Sequence, residues 1–202
     1  MGSQANVFTT MPLIPYRIIM ALMENDNFCK LMYYNTIDAL DKPTLTIEQK
    51  QKLIWDGIED HMENSNIFIT NVQPNEEFEN RTILKCYKYE TMPNDLILST
   101  LNYKFDVLFG SKIPIVNYQG IPCNRGDLIE MEIMRSLNGQ DVAGVGFLQF
   151  NQDLSALCNS RVGIGNNYTF TGLTIIMATQ LADIRTGVCP VSYTHPEPTR
   201  PY

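Results

Sequence analysis

The apolar positions along this chain change period several times, and each change marks an element. In YRIIMALMEN, Ile18, Ile19, Leu22 and Met23 recur at helical spacing. Pro12 and Pro15 sit just ahead, where a first turn tolerates proline. After the polar ENDN, FCKLMYYN resumes a short helical pattern. In DKPTLTIEQKQKLIWDGIEDHMENSN, Thr46 and Gln49 have capping-box spacing. Ile47, Leu53, Ile54, Ile58 and Met62 then fall to one side, and Glu48 precedes Lys52 in the favourable i,i+4 order. The pattern predicts one helix ending before Asn64, weakened by about 1 kcal/mol at Gly57.

Strand patterns follow. NIFITN is short and β-branched, and RTILKCYKYE runs to a turn signal at Met92-Pro93-Asn94-Asp95. LSTLNYKFDVLFG is the clearest strand. Leu101, Tyr103, Phe105, Val107 and Phe109 alternate with Asn102, Lys104, Asp106 and Leu108, so one face enters a core and the other meets solvent or a partner. SKIPIVNYQGIPCN, with two prolines and a glycine, reads as a loop.

NRGDLIEMEIMRSLNGQ then predicts a helix, with Asp127 as N-cap, Glu130 answering it three residues on, and Asn138-Gly139 ending it. Ile129, Ile133 and Leu137 form its stripe with Met134 beside them, and Glu132 and Arg135 pair on the opposite side. Glu130 falls inside the apolar arc, at the core's edge or facing another subunit. VAGVGFLQF and YTFTGLTIIMAT read as two more strands, joined by a polar stretch with Asn159, Gly163, Gly165 and Asn166-Asn167.

The outline is an α+β fold, a mainly antiparallel β-sheet packed with two or three helices. It gives an N-terminal arm over 1–12, a single domain over 13–185, and a C-terminal arm over 186–202. Pro190, Pro196, Pro198 and Pro201 favour extended chain in that last arm.

Composition narrows the function. At 202 residues and 44% hydrophobic, the chain can bury one core, and 18% charged residues is ordinary globular content. The net charge of −7 argues against a surface that neutralises phosphates, since that needs clustered Lys and Arg. Cys29, Cys86, Cys123, Cys158 and Cys189 are widely spaced, which fits reduced thiols and not a disulfide framework or zinc knuckle. The start has neither the basic and apolar runs of a signal peptide nor the Ser or Thr that myristoylation wants at position 6. GLTIIMATQLA is far shorter than the ~20 residues of a membrane helix, so no membrane partner is expected.

Catalytic chemistry is poorly supported. The two histidines, His61 and His195, lie on a polar helix face and in the proline-rich arm, away from an obvious nucleophile. GVGFLQF and RVGIGNN contain Gly-x-Gly without the rest of a phosphate loop. Asp56 and Asp60 share a face at i,i+4, a spacing that suits weak cation binding, yet an acidic solvated face looks the same. Arg125-Gly126-Asp127 is a tripeptide that integrin-type receptors read, but needs an exposed loop to work. The expectation is no enzyme activity, no cofactor and no metal.

The order of elements resembles the neck and tail-terminator proteins of tailed bacteriophages. The resemblance rests on Phe105-Asp106-Val107, the helix ending at Asn138-Gly139, and Gly144-Val145-Gly146 leading into Phe147-Leu148-Gln149-Phe150, and it spans roughly Leu13 to Leu181. It implies a structural virion protein forming a ring, commonly of six and sometimes twelve copies. Such a ring joins a portal to the tail or caps the tail tube, and DNA passes through its lumen without specific binding. The implied place is the virion neck or tail, after assembly in the host bacterial cytoplasm, and the resemblance carries over no catalytic residues. Glu130, Arg135, Lys104 and Asp106 are the candidate subunit-interface residues. The alternatives are a decoration or adhesion protein using Arg125-Gly126-Asp127 and, after it, a small cytosolic enzyme.

Overall fold

The computed structural model describes residues 11–71, 80–93, 98–158, 163–164 and 170–182. The predicted turn at Asn94-Asp95, the polar positions Asn159, Gly165, Asn166 and Asn167, and both arms, apart from Met11 and Pro12, lie outside these residues. A 3₁₀ turn over Met11–Leu13 leads into α1 (Ile14–Met23), with proline in its first turn as expected. Helix α2 (Asp26–Tyr33) follows, and Asn25 caps it by accepting the Phe28 N–H.

The predicted capping box is present at α3: the Thr46 N–H donates to Gln49 Oε1 at 2.9 Å and the Gln49 N–H to Thr46 Oγ1 at 3.2 Å. The helix length is corrected. Helix α3 spans only Ile47–Leu53, because the chain then turns extended: Ile54 bridges Ile67, and the Trp55 N–H donates to the Ile67 carbonyl. Gly57 takes φ +92°, and a 3₁₀ segment, Glu59–Asn64, completes the stretch. The expected apolar side therefore dissolves, leaving Ile47 76% and Ile58 51% exposed. Burial of Trp55 against Phe68, ring centroids 5.7 Å apart, replaces continued helix here.

The fold is α+β, with a mostly antiparallel sheet ordered β1-β2-β3-β10-β8; β9 also pairs with β10. These strands are β1 (Ile67–Phe68), β2 (Thr82–Pro93), β3 (Leu98–Gly110), β8 (Gln149–Phe150), β9 (Gly163–Ile164) and β10 (Phe170–Ala182). Among the described strands, β1 on β2 is the one parallel pair. Strand β3 is central, paired along its whole length with β10. It has the predicted two faces: Leu101, Tyr103, Phe105, Val107 and Phe109 are all buried on the inner one.

The presumed loop before the long helix is instead a hairpin, β4 (Ile115–Tyr118) and β5 (Ile121–Asn124). Gln119 (φ +53°) and Gly120 (φ +79°) make its two-residue turn of primed type, which matches the twist of the strands. VAGVGFLQF is broken in three, giving β6 (Asp141–Val142), β7 (Gly146–Phe147) and β8, with Gly144 and Gly146 at positive φ. Part of the expected polar linker is α5 (Gln152–Cys158), whose first turn is held by Asn151 Oδ1 accepting the Leu154 N–H.

Helices α1, α2 and the long α4 (Arg125–Leu137) cover the inner face in one apolar core. Among the described residues, the outer face is covered in two places. A small cluster of Phe68, Ile83 and Leu108 lies under Trp55 and Met62. At the level of Lys104, whose register partner is Ile176, Ser155 of α5 caps the β10 edge, its hydroxyl bonding both the N–H and the carbonyl of Ile176.

Candidate interface surfaces and their supports

Beside these covered places, the outer face carries a polar clasp centred on Asp106. Alternation from the buried row puts Lys104 and Asp106 outward. Across the register, Lys85 and Thr174 are the partners of Asp106, and Tyr87 is the partner of Lys104. Tyr87 Oη donates to Asp106 Oδ2 at 2.8 Å and Thr174 Oγ1 to Asp106 Oδ1 at 2.7 Å. Lys104 Nζ lies 3.3 Å from Asp106 Oδ1 and 5.8 Å from the Tyr89 ring centroid. One carboxylate thus ties three strands together.

The half-buried setting shifts the neighbours. Burial, followed by the hydrogen bond to Asp106, pushes the Tyr87 phenol up. Burial works against the Lys104 ammonium, but Asp106 and Tyr87 together outweigh it and hold it above the ordinary lysine value. The centre of the face therefore presents a fixed charged array, a suitable rim for docking another protein surface.

The other two candidate interface residues are elsewhere. Glu130 and Arg135 belong to α4, on the layer packed against the inner face, so the four do not form one surface. Glu130 is half-buried, and Arg135 has its side chain 67% exposed.

Two features of α4 correct the reading of its sequence. The N-cap is Asn124, whose Oδ1 accepts the N–H groups of Gly126 (2.8 Å) and Asp127 (3.3 Å), and the helix starts at Arg125. Asp127 already lies in the first turn. Glu132, expected on the solvent side with Arg135, is 1% exposed. Its carboxylate accepts from Asn25 Nδ2 at 2.8 Å and Asn27 Nδ2 at 3.3 Å, and Arg135 Nη1 approaches at 3.6 Å. Helix α4 faces α2 along this edge as well as the sheet, so its inward arc is wider than one apolar stripe.

Arg125 is the residue that the sequence hid. It is fully buried, and its guanidinium donates to four carbonyls: Ile113 from Nε (2.8 Å), Leu31 and Tyr34 from Nη1 (2.8 and 3.0 Å), and Thr36 from Nη2 (3.1 Å). Leu31 and Tyr34 stand at the C-terminal end of α2, the negative end of its dipole. Burial lowers the guanidinium pKa to about 10, so it stays charged at neutral pH. Gly126 must be glycine for a related reason: a Cβ there would come 2.7 Å from the Phe109 ring. Arg125-Gly126-Asp127 is thus a latch closing α4 onto α2 and β3, and its arginine is not offered to a receptor.

An open cleft of about 810 Å³ is lined by Tyr33, Glu48, Gln51, Lys52, Ile54, Asp56, His61, Asn64 and Ser65. His61 Nδ1 meets Asp56 Oδ2 at 2.8 Å, and the Ile58 N–H donates to Asp56 Oδ1 at 3.0 Å. The Ile58 N–H, and after it His61, hold the Asp56 carboxyl below its ordinary range. The Ser65 hydroxyl donates to the His61 carbonyl, which turns it to the backbone instead of making it a nucleophile beside the imidazole. The expected Asp56–Asp60 helical face does not exist, since no helix spans Gly57. Among the described residues no three His, Cys, Asp or Glu side chains converge as a metal site would require. No described helix is long and apolar enough to cross a membrane.

Compared with known proteins, residues 25–179 match the YomW family, whose name is of the style given to Bacillus phage proteins. Helix α1 lies ahead of the matched span. No curated protein and no solved structure gives a match.

Proposed function

Since this chain belongs to the YomW family, a phage-associated one, we propose that it is a structural protein of a tailed-phage virion. In this reading, copies of the chain form a ring in the neck or at the end of the tail tube, between portal and tail, with DNA passing through the lumen. The protein builds and does not catalyse. The observation that carries the reading is the outer face of the sheet, which presents Lys104, Asp106, Tyr87 and Thr174 in a fixed clasp spanning three strands. Such a rigid, half-buried polar surface suits repeated subunit contact. The net charge of −7 suits a lumen along which DNA slides without sticking.

The adhesion reading has lost its basis, because a fully buried Arg125 leaves Arg125-Gly126-Asp127 undisplayed. The test is electron microscopy of the purified protein, alone and mixed with portal or tail-tube protein, with antibody labelling of virions. Rings, or label at the neck or tail end, are expected. A protein that stays monomeric with both partners and is missing from virions would rule the reading out. Lys104→Glu with Asp106→Lys should keep the fold and weaken ring formation.

A further inference from the structure

Helix α1 is apolar on nearly every side. Its sequence, IPYRIIMALM, contains one charged residue, Arg17. Ile14, Ile18, Ile19, Leu22 and Met23 are in the core, as a surface helix requires. The outward side should then be polar. Instead Leu13 is 51%, Tyr16 49% and Met20 43% exposed. At roughly 100° per residue, Leu13, Arg17, Met20 and Glu24 line up along the middle of that side, with Tyr16 and Ala21 flanking. Glu24 keeps helical dihedrals (φ −73°, ψ −23°), so the line continues through it.

The β6–β7 hairpin borders this face. Arg17 Nη1 donates to the Gly144 carbonyl at 2.7 Å, holding the turn beside α1, and Phe147 on β7 is 63% exposed. Aromatic, methionine and arginine side chains of this kind are enriched where proteins meet. The two charges on the line, Arg17 and Glu24, are opposite in sign and two helical turns apart.

We propose that this face pairs two copies of the chain, α1 against α1, antiparallel about a twofold axis between Met20 and Ala21. In that register Arg17 of each copy meets Glu24 of the other, twice by symmetry, and Met20 packs on Ala21 of the other copy. A twofold axis at Arg17 would set the two guanidinium groups against each other, so charge selects the register. Specific interfaces bury roughly 1,200–2,000 Å² in total, more than two helical turns supply, so Leu13, Tyr16 and Phe147 belong to the contact. An isologous pair closes on itself and needs no ring; if rings form as proposed above, it joins two of them face to face.

The test is sedimentation or light scattering of the full chain across a concentration range. The chain is expected to pair with itself, and Glu24→Arg and Arg17→Glu each to weaken pairing by at least about tenfold. Mixing the two variants should restore it, since each then offers the charge that the other lacks. Met20→Glu, which keeps the Arg17–Gly144 bond, should abolish pairing without changing the circular dichroism. A wild-type chain that stays monomeric overturns the proposal, as do folded variants that pair normally or a mixture that fails to recover. Met20→Glu lowering the melting temperature of a monomer would mean that the chain's own segment covers α1, and also overturns it. Rings unaffected by these variants would remove the α1 pairing alone, whereas pairs without rings would remove only the ring reading.

Discussion

The two sides of β3 come from alternate residues of one strand, yet they hold the molecule together in different directions. Inward, Leu101, Tyr103, Phe105, Val107 and Phe109 form a buried row that joins the sheet to the helical layer. Outward, Asp106 reaches sideways to Tyr87 on β2 and Thr174 on β10, joining strand to strand. The inner row works through lost water and close packing, so a deletion there leaves a void beneath several elements. The outer clasp works through directed bonds at a half-solvated surface, where water can replace part of what is removed. The fold therefore rests chiefly on the inner side of the strand, with the outer clasp adding to it less.

The largest test of that division is Arg125, the polar latch of the inner layer. Arg125→Met should cost about 4 kcal/mol or more, because four buried carbonyls lose their donors at once. Asp127→Ala, in the exposed first turn of the same helix, should cost less than about 1 kcal/mol. Urea denaturation measures both. Similar losses would mean that the Arg125 bonds are replaced by water and that the inner layer does not hang on them.

Next comes a pair of neighbours. Phe105→Ala should cost about 3–4 kcal/mol through its cavity. Asp106→Ala should cost about 1–2 kcal/mol through its lost bonds. The outer change should also free the Tyr87 phenol, whose raised pKa depends in part on Asp106, and an ultraviolet titration reads that shift downward. Equal costs for the two substitutions would erase the distinction between the faces.

These residues also show what could be read from the sequence. The inner row of β3 was legible because strict alternation over so long a run has one interpretation. The Thr46–Gln49 box was legible because it is local. Arg125 was not, since nothing nearby in sequence says that carbonyls from residues 31–36 and 113 surround it. Glu132 misled for a similar reason: a helical wheel shows one apolar stripe, but α4 packs against other helices as well as the sheet, and α2 is reached through Asn25 and Asn27. The α3 helix was overextended because Ile54 and Trp55 suit a helix and a sheet edge equally, and tertiary burial decided. Of the candidate interface residues, Lys104 and Asp106 meet on one face, while Glu130 and Arg135 lie on the other layer.

Alkaline pH is a milder probe of the same asymmetry. Burial pushes the Cys29 thiol up to about 11, and raises Cys86 and Tyr103 for the same reason, all three on the inner side. An acid whose folded pKa is raised stays neutral in the fold while the unfolded chain ionises, so unfolding releases protons. Stability is thus complete below about pH 9 and declines as pH climbs from 9 towards 11. Between pH 9 and 10 the loss should be on the order of 1 kcal/mol per buried thiol, offset in part near pH 10, where the Arg125 guanidinium begins to give up its proton in the fold while the unfolded chain keeps it. Chemical denaturation at pH 8, 9 and 10 checks it, and a flat profile would mean that the thiols are solvated. At pH 8, mass spectrometry after alkylation should find half-exposed Cys123 modified before Cys29 or Cys86.

The smallest effects lie in α3, away from both faces of β3. Thr46→Ala removes the oxygen that accepts the Gln49 N–H and should cost about 1 kcal/mol. Ile47→Ser, one residue later, should stay within about 0.5 kcal/mol, because a side chain 76% exposed has little burial to lose. The contrast is informative because hydrophobicity alone ranks the two positions the other way. A large loss at Ile47 would show that something covers it in solution, as is proposed for α1.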